Sequence, residues 1–497
     1  MRLSLALLLL LAGAPLAAQE ASAFVPLSWW GTPFIEHLIA RGRLADPTPL
    51  TRPFRAADLL RTLDAVDSTV VTSGEWTVVR QMSADLRRTQ RGPSARLDVH
   101  AGVAASSHAR RDPLREAGPG HGTFSGGAAL TLYFGPVVFV SHPYFDTRLK
   151  YDPDWYGKKD RIVAGKFGEA YISAQFTYAD LFFGSLDRNW GPSAVQGLLL
   201  SDSPYGPDHF ALSLGTTGVK LEGIAFQMND LPDSTGAAAH RYMVQHRLWI
   251  RPPGRWTLAV WDGSVLSGVG RQIEPWYLNF GIGYVAQVNT GTNVNSFLGF
   301  DAQRQGKVTL FVQGMLDDIQ IDKKTAHDLK PPSYGLTVGA QGSVPHSAAA
   351  WTLFYTRVTN LTYRNEDNTQ TPIYFGLGTG RNFSDYDQTT LKLSLMPSSG
   401  VLLQPEITFL RQGEGDLHLP HPPESAFPST PTFLAGIVQR TLRLAASGHA
   451  AHGRWELSAD GGVHLISNAG HVTGASNTRW VGTIQLTWST KKEGRIP

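Results

Sequence analysis

Along most of this chain apolar and polar residues alternate singly. In "RLDVHAGVA" Leu97, Val99, Ala101 and Val103 alternate with Arg96, Asp98 and His100. In "RWVGTIQLTW" Trp480, Ile484, Leu486 and Trp488 alternate with Val481, Thr483, Gln485 and Thr487. A period of two gives each set its own face of a β-strand. Many of these segments run to about ten residues, the length that crosses a bilayer at a tilt. Tyr171, Tyr178, Trp249, Trp256, Trp261, Trp480 and Trp488 fall near segment ends, as in an interfacial girdle. About eighteen segments between 95 and 490 predict an all-β fold, a transmembrane antiparallel β-barrel, because an even number closes such a barrel. Residues 491–497 are left as a C-terminal tail.

The first ninety residues follow other patterns. Arg2, the apolar run Leu3 to Leu11 and the small residues ending at Ala17 and Ala18 have the layout of a signal peptide over 1–18. Residues 28–90 change to a helical period: Phe34, Ile35, Leu38 and Ile39, then Phe54, Leu59, Leu60, Leu63 and Val66, then Trp76, Val79, Met82 and Leu86. Three short amphipathic helices form a small N-terminal periplasmic α-helical bundle. Two roles are open to it: docking a periplasmic partner, or plugging the barrel's inner end.

The connections between strand segments alternate in length. Tight ones are expected at Gly135-Pro136, 178–180, 215–218, 251–255, 304–306, 342–347, 397–400 and 447–453. Long ones fall near 107–122, 150–160, 188–207, 229–239, 266–295, 317–332, 358–386, 412–433 and 467–477. Outer-membrane barrels have short periplasmic turns and long external loops, a rhythm that a soluble sandwich has no reason to keep. With the bundle on the inner side, every long connection lands outside.

Composition supports this reading. Tryptophan (13), tyrosine (15), phenylalanine (23) and glycine (51) are plentiful, and charged residues make up 17%. No apolar run, the leader's Leu3 to Leu11 included, is long enough for a helix to cross a membrane. The chain has no cysteine, which excludes a disulfide framework, a thiolate metal site and a cysteine nucleophile. A formal charge of +3 over 497 residues gives no indication of a nucleic-acid partner.

The external segment "DRNWGPSAVQGLLLSDSPYGPD", Asp187 to Asp208, is unusual for a loop. Trp190 and Leu198 to Leu200 would be unfavourable in water, so the segment is expected to pack inward and narrow the pore. Together with a leader, a helical bundle and about eighteen strands, "DRNWGPS" and "GLLLSDSP" resemble the Wzi family of capsule-assembly outer-membrane proteins. Arg188, Asn189, Trp190, Gly191 and Pro192 match the family's basic-aromatic turn, and Ser201 and Asp202 match the polar step after the apolar run. Asp202-Ser203-Pro204 departs from the amide-rich stretch of that pattern. The resemblance implies a lectin-like, non-enzymatic protein that holds capsular or other surface polysaccharide to the outer membrane, with an occluded lumen.

Sugar recognition needs a flat aromatic for the C–H face and planar polar groups for the hydroxyls. "YDPDWYGKKD" offers Trp155, Tyr156 and Lys158, and "EPWYLNF" offers Trp276 and Tyr277; with Arg188, Asn189 and Trp190 they are the candidate polysaccharide contacts. Gly191, Pro192, Ser201 and Asp202 are assigned to loop structure. The bland reading of these tryptophans is loop anchoring. Catalytic patterns are thin: there is no G-x-S-x-G turn and no H-E-x-x-H. Asp317-Asp318 and Asp385-Asp387 are read as solvated loop acids rather than a calcium site. No cofactor or metal is expected; the partners are surface polysaccharide and outer-membrane lipid. A porin or substrate-selective channel is the alternative, since a barrel of this size is wide enough to conduct.

Overall fold

The computed structural model describes residues 20–161, 164–279, 294–319, 325 and 327–497. The leader expected over 1–18 lies outside the described residues. Eighteen antiparallel strands form a closed barrel, from Ser94–Ser106 to Ser476–Arg495, which pair with each other at the seam. The strand period is as expected: outward Val103, Val260, Ile407 and Ile484 are exposed, while inward neighbours such as Thr408 and Thr257 are buried.

Several boundaries differ from the sequence expectation. The connection expected to be long at 229–239 is a short hairpin, since the strands continue to Pro232 and restart at Ala238. Asp233 closes it by accepting the Thr235 and Ala237 N–H groups at 2.8 and 2.9 Å, with Gly236 in the left-handed region. The turn expected at 447–453 is strand to His452, and Ser447 and His449 belong to its lumenal face, where polar side chains are at home. The last strand runs on to Arg495, so little is left of the expected 491–497 tail. The aromatic girdle is also thinner than expected. Trp256 and Trp480 are exposed at strand ends, but Trp249, Trp261 and Tyr171 are buried on the lumenal side.

Three helices precede the barrel: α1 Thr32–Ala40, α2 Ala56–Asp64 and α3 Ser73–Leu86. A capping box starts α3, with Thr72 Oγ1 accepting from the Glu75 N–H and Glu75 Oε2 accepting from the Thr72 N–H. Phe34, Ile35, Leu38, Leu59, Leu63, Val79 and Met82 make one apolar core with Met396 and Leu402 of the barrel. His37 Nδ1 lies 2.8 Å from Ser394 Oγ, and Arg41 donates to the Ser347 carbonyl. These contacts fall beside short turns, so the helices cap the short-turn end of the barrel. The capping body starts before 28: the Ala21 and Phe24 N–H groups bond to the Gly135 carbonyl and the Tyr171 hydroxyl.

Candidate functional site

Between α1 and α2 the chain enters the lumen. Thr51 and Arg52 pair antiparallel with Trp190 and Asn189, so the N-terminal body and the 186–207 connection form one small sheet inside the barrel. A buried charge network anchors it. Arg247, on the wall, reaches the Leu50 carbonyl at 2.9 Å, Thr51 Oγ1 at 2.8 Å and Asp301 Oδ2 at 3.0 Å, and its guanidinium lies 5.2 Å from the Trp190 ring centroid. Gln313 donates to both Asp301 Oδ1 and the Trp190 carbonyl, and its own carbonyl accepts the Leu198 N–H at 2.8 Å. Further hydrogen bonds help a buried ion pair to persist, and here both terminal nitrogens of Arg247 and both oxygens of Asp301 have partners.

Leu198, Leu199 and Leu200 are buried in the main core of the barrel, as the apolar run predicted. The wall makes room with glycine: a Cβ on Gly335 would sit 3.0 Å from Leu198, and one on Gly263 would collide with Leu199. Asn189 closes the loop on itself, accepting the Gly197 N–H at 2.6 Å and donating to the Val195 carbonyl. Ser201 and Ser203 donate to the Gly380 carbonyl at 2.5 and 2.8 Å.

A second connection, 359–385, also folds inward. Sequence reading took it as an external loop. Arg241, fully buried, holds it by donating to the carbonyls of Thr369, Thr371 and Ile373. Tyr363 donates to the Leu198 carbonyl, which joins the two inward loops. The acids read as solvated are anchors. Asp317 accepts the Tyr363 N–H, Asp385 accepts from Leu434 and Ala435, and Asp387 pairs with Arg411. Both wall arginines, Arg241 and Arg247, lie on the one strand "AAHRYMVQHRLWI", whose sequence does not show what they bind.

The candidate sugar contacts are dispersed. Trp190 and Asn189 are buried in the lumen, and half-buried Arg188 lies between the Phe24 and Phe182 rings with its Nε donating to His209 Nε2 at 2.7 Å. Burial pushes the Arg188 guanidinium down to about 10, so it stays charged at neutral pH. Gly191 and Pro192 form the turn, and Gly191 N–H bonds to the Leu50 carbonyl. Trp155 is buried against Tyr205. Tyr277 is buried outside the barrel wall against Tyr242, Val244 and Leu266. Trp155, Trp190 and Tyr277 therefore present no ring face to the outside; desolvating them stabilises the packed loops instead.

Tyr156, Lys158 and Trp276 remain exposed. Tyr156 stacks on Phe375 at 4.1 Å and 11°, with Tyr374 edge-on to both; Tyr374 and Phe375 belong to the inward 359–385 connection, and Phe375 is its exposed aromatic ring. Phe375 and Tyr374 were missed because nothing in the sequence pairs 156 with 375. Burial, then the Asp208 carboxylate, raise the Tyr156 hydroxyl above its usual range, so it is a neutral donor. Beside this cluster Tyr205 donates to Asp152 at 2.5 Å, and Arg148 pairs with the same carboxylate.

The other side of the lumen is open. A cavity of about 1470 Å³ runs from Trp29, Trp30 and Asp85 of the cap to Arg110 and Arg111 of the outer loop. Its walls carry polar and charged side chains, including Ser125, Thr131, Gln404, Gln485, Arg148 and Lys166. Among the described residues no group of three His, Asp or Glu side chains has metal-holding geometry.

A scan against protein-family models and a search of curated relatives returned no match. Solved structures do match. Wzi of Escherichia coli, an outer-membrane protein involved in group 1 capsule assembly and described as a carbohydrate-binding β-barrel, superposes with a TM-score of 0.60 at 14% identity. The match covers 93% of this chain and 97% of that one. OccK11 (OpdR) of Pseudomonas aeruginosa gives a TM-score of 0.44 at 11% identity, covering 80% of this chain and 96% of its own. The opdK outer-membrane protein of the same organism gives 0.45 at 10%, covering 80% and 99%. The expected likeness is thus met at the level of fold: this chain is an eighteen-stranded barrel of the Wzi fold with short N-terminal helices.

Proposed function

We propose that the protein is a non-enzymatic, outer-membrane attachment protein for capsular or other surface polysaccharide, binding at the outer mouth. The supporting observation is occlusion: two connections that would otherwise edge a pore are folded into the lumen and held there by buried arginines, while exposed aromatic rings remain at Tyr156 and Phe375. Tyr156 and Phe375, with Lys158 nearby in sequence, replace the tryptophans as the surface for a sugar's C–H face. The likeness to a carbohydrate-binding barrel agrees with this reading.

The test is surface-glycan retention by cells carrying Tyr156→Ala together with Phe375→Ala. Both side chains are partly exposed, so the barrel assembles normally and retained glycan falls by about tenfold. Unchanged retention on a folded, inserted double variant removes the outer-mouth assignment.

A substrate-selective channel is the second reading, favoured by the polar cavity along the open half of the lumen. It requires the cap to move, because cap residues floor that cavity.

A further inference from the structure

On the outside of the barrel, four adjacent strands place a row of charge in register. Arg357 is opposite Asp387, Asp387 opposite Arg411, and Arg411 opposite Arg440. Each residue lies one position in from the long-loop end of its strand: Ala349–Val358, Tyr386–Ser398, Val401–Gln412 and Gln439–His452. All four face outward, because their neighbours Val358, Tyr386, Leu410 and Thr441 are buried on the lumenal side.

Asp387 is satisfied within the row. It accepts two hydrogen bonds from Arg411, at 2.9 and 2.5 Å, and one from the Tyr355 hydroxyl. Arg357 lies over the Phe433 ring at 3.8 Å, and the Arg440 side chain, which is exposed, has no ion pair or hydrogen bond among the described residues. Three arginines against one aspartate leave a formal +2. Like charges directly opposite each other destabilise a ladder, so Arg440, beside an Arg411 whose fork is already taken by Asp387, calls for an anion that the described residues do not supply.

Below the row the last three of these strands, with the next two, Trp455–Ser467 and Ser476–Arg495, line an apolar cleft of about 710 Å³. Leu391, Ile407, Leu444 and Trp480 are exposed around it, and Gly461 and Gly482, opposite each other, keep its floor low. Leu444 is four residues along the strand from Arg440, roughly 13 Å towards the short-turn end. A cationic row at the edge and a hydrocarbon-sized cleft beneath it match a lipid with phosphates on its headgroup and acyl chains below. Arginine suits phosphate through its planar, multidentate fork, and charge is tolerated near the interface though not at the bilayer centre.

We propose that this face is a binding site for a phosphorylated, multiply acylated glycolipid of the outer leaflet, of the lipid A type, its phosphates on Arg357 and Arg440 and one acyl chain in the cleft. The site rests on the outer-membrane placement and is independent of the polysaccharide reading.

The test is native mass spectrometry of the full chain in detergent with hexa-acylated lipid A and with the same lipid stripped of its phosphates. The wild-type protein takes up one phosphorylated lipid and binds the stripped lipid about tenfold more weakly. Arg357→Gln with Arg440→Gln removes that preference and leaves binding of the stripped lipid unchanged. Gly461→Leu, whose side chain enters open space, weakens both lipids. Each variant is first shown to keep the heat-dependent gel shift of a folded barrel. Equal uptake of the two lipids by the wild type, an undiminished preference in the arginine double variant, or self-association at this face without lipid each overturns the site.

Discussion

The two halves of the lumen differ in what their walls present. From Ala179–Ser185 round to Ala349–Val358 the inward positions include Met243, Trp261, Val265, Phe297 and Met315, and the inward loops pack on them. On the remaining strands the inward positions facing the open cavity include Ser125, Thr131, Gln404, Gln485 and Thr487, while Tyr133, Val138, Val140 and Tyr171 there share a core with Ala21 and Phe24 of the N-terminal segment. Apolar inward side chains on a barrel strand mark where chain has folded back into the lumen; inward polar ones either bond to that chain, as Arg241, Arg247 and Gln313 do, or face the cavity. The same closed sheet is therefore a packed core on one side and a hydrated wall on the other.

The largest effect that would break this contrast is at the buried pair. Arg247→Ala leaves Asp301 without its cation in the filled half, and removing one partner of such a pair is expected to destabilise by about 3–5 kcal/mol. Lys392→Met in the open half, where Lys392 is 3.5 Å from Glu406 and partly exposed, should stay within about 1 kcal/mol. Urea unfolding midpoints of the two variants check this; equal shifts would mean the halves are not energetically distinct.

Gly335→Val sharpens the contrast at a smaller scale. The added methyls press on Leu198 from the wall, an overpacking expected to destabilise by about 1–3 kcal/mol. The loop should also become cleavable by protease near 193–196, which limited proteolysis of intact proteoliposomes would show.

A third prediction concerns the cap that floors the open half. Burial pushes the Glu75 carboxyl up, but hydrogen bonds from His37, Arg41 and the Thr72 N–H pull it further the other way, to about 2 from an ordinary 4.5. A depressed carboxyl stabilises the fold above its unfolded value and loses that contribution as pH falls through the folded one. Cap protection against protease should therefore weaken between pH 4.5 and about 2, and Glu75→Gln should flatten that dependence. A profile unchanged by the substitution would separate Glu75 from cap docking.

The barrel was legible because its signal is local: a period of two, turn residues and alternating connection lengths are each read from neighbouring positions. The strand expected to stop before Ser447 and the loop expected at 229–239 were misplaced where strands carry polar residues into the lumen or beyond the membrane. The inward fate of 187–208 was legible from Trp190 and Leu198 to Leu200, since apolar bulk in a loop must be buried somewhere. That of 359–385 was not, because its anchors, Arg241 and Asp317, are charged residues whose partners are backbone groups far away in sequence. The same limit applied to the mouth: Trp155 and Tyr156 are adjacent in sequence, yet one is buried and the other stacks on Phe375. Which aromatic is available to a sugar depends on tertiary neighbours.

Occlusion is the central claim, and ion conductance of the full-length protein in a planar bilayer tests it most directly. The packed half and the capped cavity predict an inserted barrel that is electrically silent at low voltage. A large, steady conductance from demonstrably inserted protein would contradict it and make the polar cavity a channel.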